Sequence, residues 1–111
     1  MRDANNAPAV AYCTNKANVV CSSKSPVGGV VGSITGAAGN DLIKVTGCAN
    51  SGEISGTQAN NQVGGIVGRA TIDTEISQSY NTGSITAMGS ASGIIARMGG
   101  TNAIVRDCYN T

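Results

Sequence analysis

Two short elements recur along this chain in a fixed order, and that repetition limits the possible folds more than any other feature. "VTGCANSGEISG" (45–56) aligns with "ISQSYNTGSITA" (76–87), which places Asn50 with Asn81, Gly52 with Gly83 and Ile54 with Ile85. "VRDCYNT" (105–111) repeats the first half, and "VAYCTNKANVVC" (10–21) is a more diverged copy with Asn15 and Val19 in register. The equivalent positions Cys13, Cys48, Ser79 and Cys108 are spaced by 35, 31 and 29 residues. Each full copy is followed by a glycine element: "PVGGVVG" (26–32), "QVGGIVG" (62–68) and "SASGIIA" (90–96). A period of about thirty residues leaves helical arrays, propeller blades or a β-solenoid.

Composition chooses among these. Helical repeats need long stretches of good helix formers, whereas these copies are full of Gly, Asn, Thr and β-branched residues. A propeller blade needs about forty residues and a closed ring of several blades, more than this chain supplies. The expected fold is therefore all-β: a right-handed parallel β-helix of about three coils, each of 29–36 residues, with three short strands per coil. Right-handedness follows the general preference of parallel connections. The repeats divide as 10–44, 45–75, 76–104 and a partial 105–111, with 1–9 as an N-terminal lead-in or cap. The pattern breaks off inside a coil, which reads as an excerpt of a larger protein whose adjacent repeats would be its first partners.

In such a solenoid each strand pairs with its equivalent one coil away, about 4.8 Å along the axis, so like residues stack into rows. The first strand leads through Val10, Val45, Ile76 and Val105 to the Cys/Ser position. The second centres on Val19, Ile54 and Ile85, and the third is the glycine element with Val30, Ile66 and Ile94 matched. In "VGGIVG", alternation puts Val63, Gly65 and Val67 on one side and Gly64, Ile66 and Gly68 on the other. The expected reading is that Ile66 and its equivalents fill the core while Gly28, Gly29, Gly32, Gly64, Gly65, Gly68 and Gly93 allow tight bends. A phosphate cradle lacks its parts, because no Lys-Ser/Thr ending and no long helix follow the glycines.

Bulk properties exclude several classes. Net charge is +1, so no basic field invites nucleic acid. No run reaches the roughly 18 apolar residues of a spanning helix, and no membrane insertion is expected. The chain has no His, and no CxxC pair exists, so neither zinc nor another cofactor is expected. The four cysteines admit two readings: disulfides, as in exported proteins, or free thiols stacked as small apolar residues. Free thiols are preferred, since in-register parallel strands rarely point Cβ atoms correctly for a bridge. Cys21 occupies its own row, where later copies have Gly56 and Ala87.

"VGGIVG" and "VGGVVG", each preceded by N-x-G-x-I or its relic, resemble the GLUG-motif repeats of bacterial cell-surface proteins. The resemblance runs from about Val10 across nearly the whole chain, with Ala17 and Ala96 standing where the pattern wants glycine. It implies an extracellular, surface-displayed β-solenoid module, of the kind found in adhesins and in accessory regions of IgA-specific metallopeptidases, and it supplies no catalytic residues.

Function candidates come from the rows. Asn15, Asn50, Asn81 and Asn110 share a register; stacked amides can bond from coil to coil, and Asn tolerates the left-handed backbone of corners. The alternative is a ligand-contacting row, for which the candidates are Asn50, Asn81 and Asn110 with the equivalent tyrosines Tyr80 and Tyr109. The acids do not recur at matched positions, and without His the usual activated nucleophile has no base. A noncatalytic adhesion module binding a host or cell-surface glycan or protein is the leading expectation. A structural spacer is the second, and a fragment of a carbohydrate-active β-helix the third. Exposed strand edges at the ends lead to a further expectation of end-to-end self-association.

Overall fold

The computed structural model describes residues 9–35, 42–99 and 103–111. The expected lead-in at 1–9 falls almost wholly outside them. Within the described residues every regular element is a short strand, and all strand pairs are parallel, each joining one coil to the next. Around the coil run five sheets. The first comprises β1 (Ala9–Ala11), β6 (Ile43–Thr46), β11 (Thr74–Ser77) and β16 (Ile104–Arg106). The second comprises β2 (Thr14–Asn15), β7 (Ala49–Asn50), β12 (Tyr80–Asn81) and β17 (Tyr109–Asn110). β3 (Val19–Cys21), β8 (Ile54–Gly56) and β13 (Ile85–Ala87) form the third, and β4 (Val27–Gly28), β9 (Gln62–Gly64) and β14 (Ser90–Ser92) the fourth. β5 (Val31–Ile34), β10 (Val67–Ala70) and β15 (Ile95–Met98) close the coil.

The rows expected from the repeat are the rows observed. Val10, Val45, Ile76 and Val105 are cross-strand partners, as are Val19, Ile54 and Ile85 and the four asparagines. Val30, Ile66 and Ile94 are joined by backbone hydrogen bonds of 3.1 and 3.0 Å.

Five strands per coil replace the expected three, because two of the three are broken. The first breaks where one residue turns left-handed: Tyr12 (φ 56°), Gly47 (φ 66°), Gln78 (φ 51°) and Asp107 (φ 54°) hold one register position just before the Cys/Ser row. The corner thus belongs to that position and not to asparagine, which in every copy lies inside a strand. The glycine element breaks between β9 and β10, so its alternation fails. Val63, Ile66 and Val67 are all fully buried, drawn from both supposed faces.

The interior has two apolar lobes. Val45, Cys48, Ile66, Val67, Ala70 and Ile76 anchor the larger, and Ile54 and Val63 anchor the smaller with Val27. No aromatic ring contributes to either, and fully burying one Ile or Val contributes about 1.5–3 kcal/mol. The asparagine strand lies between the lobes, and the second glycine of each glycine element packs against it. A Cβ at Gly65 would overlap the carbonyl oxygen of Gly93 and crowd the Asn81 side chain at 2.6 Å. Gly29 meets Asn50 and Gly93 meets Asn110 in the same way. The two recurring sequence elements are therefore the two walls of one contact, which explains why they recur together.

The glycine after each asparagine has a related cause. A Cβ at Gly52 would overlap the Ala17 carbonyl oxygen below it, and one at Gly83 the Gly52 oxygen. Ala17 occupies the same position in the first described coil. There the side chain is exposed.

Candidate functional site

The asparagine row has one polarity. Asn15 Nδ2 donates to Asn50 Oδ1 at 2.8 Å, Asn50 Nδ2 to Asn81 Oδ1 at 2.7 Å, and Asn81 Nδ2 to Asn110 Oδ1 at 2.7 Å. The same amide nitrogens donate to the carbonyls two residues on, at Ala17, Gly52 and Gly83, at 2.7, 2.9 and 2.9 Å. Each of these three amides thus commits both N–H groups within the protein. Asn50 and Asn81 have no exposed surface, which removes them from the ligand-contacting candidates: their amides join coils. Asn110, in the last strand, is exposed.

Outside this row two of the three tyrosines come together. Successive side chains of a strand point to opposite faces, so a residue beside an inward-facing asparagine can be carried on the outer face. In the last two coils the residues before Asn81 and Asn110 are Tyr80 and Tyr109, whose rings stack with centroids 5.1 Å apart and planes 4° from parallel. Tyr12, at the left-handed corner, lies beside Gly47, where an added Cβ would crowd its ring at 2.6 Å. The three tyrosines are the only aromatic residues in the chain, and all are solvent-exposed, at 79%, 39% and 54% for Tyr12, Tyr80 and Tyr109. Arg106 is held by Glu75 at 2.7 Å and Asp107 at 2.8 Å. Those two carboxylates raise the guanidinium pKa further, Glu75 foremost.

The Cys/Ser row is structural. Cys13, Cys48 and Cys108 donate through sulfur, and Ser79 through oxygen, to the carbonyl two residues earlier, at 3.5, 3.5, 3.2 and 2.9 Å. These bonds bridge the left-handed corner, a use of cysteine that the apolar reading of the row omitted. All four cysteines are free thiols. Burial pushes the Cys48 thiol pKa up. At Cys21 the Ser23 hydroxyl, 3.4 Å from the sulfur, lowers it. Among the described residues no three His, Cys, Asp or Glu side chains converge as metal ligands would.

One row was not read from the sequence. Ser33, Arg69 and Arg97 are cross-strand partners on β5, β10 and β15. The repeat alignment ended one residue short of both arginines; extended by that residue, "GIVGR" over "GIIAR" pairs them.

No curated protein and no solved structure matches this chain. Residues 59–86 match the family model of the GLUG motif. That span begins in the loop before the second glycine element and ends in the strand after the third asparagine, so it covers both walls of the buried contact. Between residues 59 and 86 this chain carries a GLUG motif, set in a β-solenoid of about three coils.

Proposed function

We propose that this chain is a noncatalytic interaction module of a bacterial surface protein, displayed outside the cell, which engages a glycan or protein through its tyrosine flank. The observation that carries the reading is that every aromatic side chain is solvent-exposed, two of them stacked on adjacent coils, while the core is built without any. Aromatic rings are large apolar groups that a coil short of core volume would otherwise bury; kept outside, they offer a rigid contact surface at small entropic cost. Burial of Asn50 and Asn81 separates a structural inner face from this outer one.

The test is binding of the purified chain to an array of glycans and matrix proteins, beside a variant with Tyr80→Ala and Tyr109→Ala. Saturable binding that the variant loses supports the reading. Silence from the folded wild-type chain favours a stiff spacer instead, a role to which the continuous amide row is well suited.

A further inference from the structure

On the sheet of β5, β10 and β15, the outward row of Ser33, Arg69 and Arg97 brings two guanidinium groups onto adjacent parallel strands as direct register partners. Strand spacing in a parallel sheet is about 4.8 Å, and like charges directly opposite each other destabilise the pair. Arg106, by contrast, touches two carboxylates. Among the described residues neither Arg69 nor Arg97 forms an ion pair. Arg69 Nε is in addition buried with no hydrogen-bond partner, in a side chain that is otherwise partly exposed. A buried donor left unpaired costs about 1–3 kcal/mol, and more when it is charged. The protein therefore holds two like charges in register with no carboxylate of the described residues paired to either, and an oxyanion bridging their outer ends would offset the repulsion.

We propose that the Arg69–Arg97 row is an oxyanion site for an acidic glycan. The oxyanion accepts from the terminal Nη groups of Arg69 and Arg97, with the exposed Ser33 hydroxyl next in the row. A planar guanidinium suits the paired oxygens of a carboxylate or a sulfate ester, and charge-assisted bonds of this kind are roughly twice as strong as neutral ones. The ligand class deepens the proposed function and rests on it only in taking the anion to be part of a recognised partner.

The experiment is a titration followed by the NMR resonances of the arginine Nε–H groups and backbone amides of the full chain at low ionic strength. The probes are a sulfated disaccharide, a uronate disaccharide, a neutral disaccharide and a short single-stranded oligonucleotide. A saturable shift of the Arg69 Nε–H with either acidic sugar, and none with the neutral one, is expected. Whichever acidic sugar binds more tightly identifies the source of the oxyanion. Arg97 is exposed, so Arg97→Gln leaves the fold intact and should weaken binding about tenfold or more. The Tyr80→Ala, Tyr109→Ala variant should retain it. Absence of a saturable shift with both acidic sugars, unchanged affinity in Arg97→Gln, or tighter binding of the oligonucleotide would overturn the site. Tyrosine-dependent array binding could survive any of those results, so the two readings fail separately.

Discussion

Tyr12, Gly47, Gln78 and Asp107 take the same left-handed backbone at the same register position, yet only one of them is glycine. A left-handed conformation costs a residue with a Cβ about 1–2 kcal/mol, a strain glycine avoids. The cost is borne because the next residue, at the Cys/Ser row, bonds the carbonyl before the corner and fixes the turn. Gln78→Gly should therefore stabilise the chain by about 0.5–1 kcal/mol, the relief of strain being partly offset by the greater freedom of glycine in the unfolded state. Gly47→Ala should destabilise it by about 1–2 kcal/mol. Urea unfolding of both variants checks the pair of signs; a loss of stability in Gln78→Gly would mean that the bond network, not the backbone, sets the corner.

At the scale of strands, the contact between the asparagine row and the second glycine explains what could be read from sequence. Rows such as Asn15, Asn50, Asn81 and Asn110, or Val19, Ile54 and Ile85, were legible because stacking selects like residues at like positions. The left-handed corner was not, since Tyr, Gly, Gln and Asp share no side-chain chemistry that an alignment could pair. Nor was the break inside "VGGIVG" visible to alternation, because burial of adjacent Ile66 and Val67 requires a bend that period-two reasoning does not contain. The Gly65 contact gives a test. Gly65→Ala forces a methyl group onto the Gly93 carbonyl and the Asn81 amide. Asn81→Ala leaves amide partners in the neighbouring coils unpaired, at about 1–3 kcal/mol for each buried group. Because Asn81→Ala also vacates space beside residue 65, the double variant should be less destabilised than the two singles summed, by about 0.5–3 kcal/mol. Strict additivity in a double-mutant cycle would show that the backbone clash with Gly93 dominates.

For the molecule as a whole, strand pairing joins each coil only to its immediate neighbours, and stability should follow that one-dimensional order. The middle coil, from β6 to β10, is paired on both sides: β6 lies between β1 and β11, and β10 between β5 and β15. Its apolar residues Val45, Ile54, Val63, Ile66 and Val67 have no exposed surface. The outer strands have one neighbour each. In β16 all three residues are exposed, and in β3, β13 and β15 none is fully buried. Backbone amides that lie between two strands exchange only when the stack opens, whereas those on an edge strand are released by local fraying. Hydrogen exchange should then give highest protection in residues 43–70, an intermediate level in 74–98 and the lowest in 104–110. The bonds from Tyr109 to Ser79 and from Thr111 to Asn81 should open first. Equal protection across all coils would mean that they open together, and that the amide row couples them into one cooperative unit. A graded profile would instead place each coil's stability in the contacts it makes with its two neighbours.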